Sequence, residues 1–311
     1  MPPRIGYLLP TREQIMAARP ETAYLLDLAA RAEDLGFDSV WIGDSLLARP
    51  RHEPLTLLAA VAGRQRRVEL GTAVLLPALR NPVLLAHQVA TLDQVSEGRL
   101  ILGVGIASDV PNIRAEFTAA GVSFEKRGGR LLEGLELARA LWTGKPVDWD
   151  GRWKVERGVL APTPYRPGGP PIWMAGSRPA SLERAGRIFD GWIPNAPDAE
   201  QWGKQWAEVR KIAADAGRDP SRLTGAMYLT LAIDDDATRA HQRLDTYLES
   251  YYGQPAPVLR RRQACYAGPA AGVTEWLQGY ARAGVQHLVL RFAGDHERQM
   301  DMVSKIRSKL A

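Results

Sequence analysis

Short apolar runs alternate with amphipathic stretches from one end of the chain to the other. Ile5–Leu9, Ser39–Ile42, Val68–Leu75, Arg99–Gly105, Pro171–Ala175, Gly191–Ile193, Gly225–Ile233 and Gln286–Phe292 read as strands. Each is short, and most are rich in β-branched or aromatic residues and bounded by Gly, Pro, Asp or Ser. Helices are expected between them. Leu25, Leu28, Ala29 and Ala32 share one side of Glu21–Gly36. Leu85, Val89, Leu92 and Val95 recur at helical spacing behind Asn81-Pro82. There Asn81 is placed to cap the helix, and Pro82 falls where no amide donor is needed. Pro54–Arg66, Gly129–Thr143 and His296–Leu310 supply further helices. Eight strand–helix units predict an α/β fold, a TIM (β/α)8 barrel formed by one domain over residues 1–311, with its working face at the carboxyl ends of the strands. A two-domain doubly wound protein is the alternative.

Two segments break the rhythm. Residues 146–170, with Trp149, Gly151, Trp153 and several prolines, read as a hairpin inserted over the barrel mouth. Residues 234–268 read as helical through Leu244, Tyr247 and Leu248, then irregular. Long excursions of this kind are more often lids or binding loops than idle connectors.

Composition narrows the function. Hydrophobic residues make up 45% of the chain, which suits a globular core rather than disorder. The net charge is +5, but the basic residues are scattered and no nucleic-acid motif accompanies them, so no nucleic-acid partner is expected. The dense cluster Arg260-Arg261-Arg262 reads as a solvated loop, with an anionic ligand as the alternative. No apolar run approaches the roughly 18 residues of a membrane span, so no membrane partner is expected. A lone Cys265 excludes an internal disulfide, fits a reducing compartment and makes the cytoplasm the expected location. The five histidines lack ligand spacing, so no metal is expected. Gly103-Val104-Gly105 lacks the third glycine and the helix of a dinucleotide fingerprint. A nucleophile elbow is missing too.

What remains is a floor for a flat ligand. Gly71-Thr72-Ala73 and Gly103-Val104-Gly105 end parallel strands with residues too small to fill the space above them. Ala175-Gly176-Ser177-Arg178 joins a strand to a helix and offers amides and a cation to an anion, although an ordinary N-cap turn reads the same way.

Together, Trp41-Ile42-Gly43-Asp44, Leu70-Gly71-Thr72-Ala73-Val74, Asn81-Pro82 with Leu85–Asp93, Ser96-Glu97-Gly98-Arg99-Leu100, Gly103-Val104-Gly105, Pro171–Gly176, Ala185-Gly186-Arg187, Asp190-Gly191-Trp192 and Gly284-Val285 resemble, in order, the bacterial luciferase-like oxidoreductases. The resemblance implies a barrel binding FMN or the deazaflavin coenzyme F420. The segment matching Gly71-Thr72-Ala73 would bulge behind the ring, often through a non-proline cis peptide. Val104 and Gly105 join that floor, Asp44 would lie beside the ring, and Ala175, Gly176 and Ser177 would approach the phosphate.

One departure carries weight. The deazaflavin branch commonly reads Asp-His after strand two, where this chain has Asp44-Ser45. Neutral serine does not titrate near pH 7 as imidazole does. Candidate catalytic residues are therefore Ser45, His52 on the following loop, and Asp109, with Asp109 or Glu116 only loosely matching a carboxylate after strand four. Arg49, Asn81, Trp173, Trp192, Asn195, Tyr228 and Arg291 are candidates for a substrate pocket, with Asp295 as the expected partner of Arg291. We expect an F420-dependent oxidoreductase moving hydride to or from a small organic substrate, and a homo-oligomer, a dimer. An FMN-dependent monooxygenase served by a separate reductase is the alternative, and a non-catalytic flavin-binding protein is a third reading.

Overall fold

The computed structural model describes residues 2–310. Its strands are β1 (Arg4–Leu8), β2 (Ser39–Ile42), β3 (Glu69–Leu75), β4 (Leu100–Val104), β5 (Val147–Asp150), β6 (Lys154–Gly158), β7 (Ile172–Ala175), β8 (Gly191–Ile193), β9 (Thr224–Ile233), β10 (Cys265–Gly268) and β11 (His287–Phe292). The large sheet runs β10-β9-β11-β1-β2-β3-β4-β7-β8, and β8 also pairs with β9. Eight parallel strands therefore close into a (β/α) barrel, and they are the eight expected from the sequence. Among the described residues no helix is long and apolar enough to cross a membrane.

The helices form where the sequence caps them. Asn81 accepts from the amides of Val83 and Leu84 at 2.9 and 3.3 Å, starting Pro82–Val95, and Asp198 and Asp236 likewise open Ala199–Asp215 and Ala237–Tyr252. Side chains alternate along each strand. Val40, Ile42, Leu70, Leu102, Val104 and Trp192 point outward into the layer shared with the helices. Leu8, Trp41, Ala73, Ile101, Trp173, Ile193, Ala226 and Val289 fill the barrel interior. The Trp41 and Trp173 rings lie 5.4 Å apart there, each 5.5 Å from the His287 ring. Ser39 joins them through His287 Nε2 at 2.7 Å and accepts from Trp41 Nε1 at 2.7 Å. The amino end of the barrel is thus plugged by large side chains, and a cavity lies toward the carboxyl ends.

Three local differences from expectation bear on the site. The hairpin β5–β6 forms, but it does not cover the mouth. Trp153 packs against Gly134 and beneath Arg130, while Val155 and Leu160 line a groove together with Leu84 and Leu141, so its apolar side faces the flanking helices instead. The second excursion is more ordered than expected, with helices Ala237–Tyr252 and Ala256–Arg260 followed by β10. Finally, short helices Thr11–Met16 and Pro111–Ala119 follow β1 and β4 at the mouth.

Candidate active site

The carboxyl ends of the strands surround a cavity of about 770 Å³. Its floor is the β3 bulge. The register with β4 shifts between Thr72 and Leu75, and the Ala73–Val74 peptide is cis. Gly105 lies over this bulge, where a Cβ would stand 2.8 Å from Val74 Cγ2. One wall is the turn after β7. Gly176 has φ +98°, a conformation that favours glycine, and a Cβ there would stand 2.9 Å from Ser181 Oγ. Ser177 Oγ is buried without a partner, and Arg178 and Arg127 line the same wall. Trp192 Nε1 donates to Gly176 O at 2.8 Å and so braces the turn from behind.

The wall after β2 is held by two carboxylates. Asp44 receives Arg80 at 2.5 Å and the Leu76 amide at 2.9 Å. Glu116, only 1% exposed, accepts on Oε2 from Ser45 Oγ at 2.8 Å and from the amides of Leu47 and Ala48 at 2.8 and 2.6 Å. Ser45 Oγ in turn accepts from the Arg49 amide at 2.9 Å. Glu116 Oε1 is buried without a partner. Asp109 sits on the rim, where Arg114 at 2.6 and 2.9 Å holds its carboxyl below the ordinary range.

The cavity gathers Asp44, Ser45, Arg49, Ala73, Gly105, Asp109, Ala175, Gly176, Ser177, Asn195, Tyr228 and Arg291 from among the sequence candidates. The others stand elsewhere, each for a definable reason. A Cβ on Gly71 would overlap the Trp41 ring, so that space is already filled by the interior plug. Thr72 is buried with Oγ1 donating to Gly103 O at 2.8 Å. Val104 and Trp192 face outward, Trp192 stacking with Trp202 at 5.7 Å. Trp173 belongs to the plug, and Asn81 is spent on its helix cap. His52 bonds to Pro20 O at 3.2 Å, away from the wall. Asp295 does not pair with Arg291. It lies 3.9 Å from Arg298, while Arg291 donates to Thr230, Tyr252 and Gln263.

Sequence reasoning does not single out Arg51, Arg127, Tyr251 or Tyr252 as site residues, yet all four line the cavity. The spacing of Tyr247, Leu248, Tyr251 and Tyr252 on one helix is the available signal. The arginine cluster divides: Arg260 pairs with Asp245, and Arg262 lines the cavity.

Comparison with known proteins agrees with this architecture. A family model described as luciferase-like monooxygenase matches residues 3–297. An F420-dependent glucose-6-phosphate dehydrogenase of Nocardia farcinica is 30% identical over 318 residues, covering 91% of this chain and 94% of that protein. A 5,10-methylenetetrahydromethanopterin reductase of Methanolobus tindarius is 33% identical over 234 residues, covering 75% of this chain and 69% of that protein. Among solved structures, monooxygenase RslO1 from Streptomyces bottropensis superposes with a TM-score of 0.82 at 26% identity, over 97% of this chain and 98% of that one. The chain belongs to the luciferase-like monooxygenase family.

Proposed function

We propose that the protein is an F420-dependent oxidoreductase that transfers hydride between the deazaflavin and a small organic substrate within the barrel-mouth cavity. The observation that carries this reading is one continuous cavity joining the Ala73–Val74 bulge to the Gly176–Arg178 turn. The residues suit such a cofactor. The bulge and Gly105 offer a flat apolar floor, and the unpartnered Ser177 hydroxyl with Arg178 and Arg127 offers donors to a phosphate. When bound, the deazaflavin supplies the hydride chemistry of its ring.

The chain's own part is to place the substrate and handle a proton. Ser45 orients the loop after β2 through Glu116 and contributes little basicity. Glu116, whose Oε1 is buried without a partner, is the carboxylate that stands beside it. Reduction of an activated double bond places less demand on a base here than oxidation of a secondary alcohol, and it is the preferred direction. The similarity to a monooxygenase favours a second reading, oxygenation with reduced FMN from a separate reductase.

Fluorescence quenching with F420 and with FMN, titrated separately, tests the proposal. F420 should bind, and Ala73→Phe should weaken it at least about tenfold, or roughly 1.4 kcal/mol, by overpacking the floor. Binding of FMN alone would favour the second reading. Binding of neither by the folded protein would end both.

A further inference from the structure

We propose that the side of the cavity facing the Gly176 turn across the barrel is an anion subsite, and that the substrate carries a carboxylate or phosphate which Arg49, Arg51 and Arg262 engage in front of a buried Arg291. The placement follows from the strand order. In the closed ring β1-β2-β3-β4-β7-β8-β9-β11, the strand diametrically across from β7 is β1, flanked by β11 and β2. Arg291 lies on β11, and Arg49 and Arg51 follow β2.

These cations form no ion pair among the described residues. Among the described residues no carboxylate lies within 4.0 Å of Arg49, Arg51, Arg262 or Arg291, whereas many other arginines of the chain form ion pairs. Arg291 is 2% exposed, and its hydrogen bonds all go to neutral acceptors on Thr230, Tyr252 and Gln263. Its guanidinium lies 5.0 Å from the Tyr251 ring and 5.4 Å from the Tyr252 ring. Arg49 lies 4.8 Å from the Tyr252 ring, and Arg51 lies 5.8 Å from that of Tyr251. Of the nearby carboxylates, Asp44 is taken by Arg80, Glu116 by Ser45 and the amides of Leu47 and Ala48, and Asp109 by Arg114, while Glu13 receives the Tyr247 hydroxyl and does not line the cavity.

A buried charge without a partner is costly, and several of one sign on one wall repel one another. A bound anion removes both penalties. The planar guanidinium fork matches carboxylate and phosphate oxygens, and the tyrosine faces suit an organic body beside them. That this anion is the substrate rests on the reading that the cofactor occupies the bulge and the Gly176 turn. The subsite itself does not.

The experiment compares trans-cinnamate with its neutral isostere trans-cinnamamide by calorimetry, on the protein with and without F420, and repeats both with the Arg49→Gln/Arg262→Gln double variant. Arg49 is half-buried and Arg262 exposed, and a urea melt checks that the double variant is folded. Cinnamate should bind at least about tenfold more tightly than the amide, and the double variant should lose that preference while keeping its F420 affinity. Competition by inorganic phosphate assigns the subsite to phosphate as well as carboxylate, and indifference to phosphate assigns it to carboxylate alone. Equal binding of acid and amide, a preference that survives the double variant, or no binding of cinnamate or phosphate at millimolar concentration would overturn the proposal. A cinnamate preference in protein that does not bind F420 would instead remove the cofactor reading and leave the subsite standing.

Discussion

Truncating Glu116 tests how the mouth is held open and charged. One carboxylate oxygen, 1% exposed as a residue, gathers the Ser45 hydroxyl and the amides of Leu47 and Ala48. Glu116→Ala removes three charge-assisted hydrogen bonds, each about 1.5–3 kcal/mol when the freed donor stays dry. They do not all stay dry. Leu46 and Leu47 are 52% and 58% exposed, so water reaches the released loop and the summed loss falls to about 2–4 kcal/mol. Glu116→Gln keeps one acceptor oxygen and should lose about half as much. Urea unfolding at neutral pH measures both. The same loop carries Arg49 and Arg51, so cinnamate affinity should fall about tenfold in the alanine variant while F420 affinity changes less. An alanine variant that unfolds at the parental urea concentration, with parental cinnamate affinity, would show that the carboxylate does not organise this wall.

Other outcomes follow from separate parts of the structure. Ser177→Ala should weaken FMN by about 1–2 kcal/mol and leave riboflavin unchanged, with Gly176→Val more severe because of its positive φ; equal losses for both ligands would take the turn away from the phosphate. The unmodified protein should oxidise simple secondary alcohols poorly with F420, and Ser45→His, placed beside Glu116, should raise that rate by about a hundredfold or more. Rapid alcohol turnover by the parent in a steady-state assay would refute this. Burial, with a smaller contribution from Arg4, lowers the His287 imidazole to about 3. The unfolded chain therefore takes up a proton below about pH 6.5 that the folded chain refuses. Stability contributed by this site is complete above that pH and falls as acid is added, by about 1.4 kcal/mol per unit down to the folded value. His287→Gln should flatten that slope in urea melts, and parallel curves for the two proteins would contradict it.

The barrel is legible in the sequence because each of its eight strands is a compact apolar run between breakers. What the runs do not disclose is which way each side chain points. In a parallel barrel strand both faces are buried, so hydrophobicity does not separate the interior from the helix layer. Val104 and Trp192 read as cavity residues for that reason, and both face the helices. Gly71 carries the same lesson in reverse, since the room it leaves is taken by a tryptophan from the neighbouring strand. Asp109 is nearer in sequence to the end of β4 than Glu116 is, yet one turn of a short helix carries Glu116 inward and leaves Asp109 on the rim. β10 is hidden because it consists only of the four residues Cys265–Gly268, two of them half-buried, with neither alternation nor a long apolar run.

The ten-residue β9 changes neighbours partway along one edge. Thr224 and Gly225 pair with β8, and Thr230 to Ile233 pair with β10. The hydrogen bonds that close the barrel are therefore distinct from those that raise the wall bearing Tyr252 and Arg262. Residues 253–262 stand outside the ladder of the ring, whereas Gln263, which accepts from Arg291 at 2.7 Å, and Ala264, whose amide donates to Asn195 O at 2.7 Å, tie the stretch back to it. Substrate preference and barrel integrity are in this sense separately heritable. Variants that exchange residues 253–262 and keep Gln263 and Ala264 should redirect what the mouth accepts while the ring keeps its ladder.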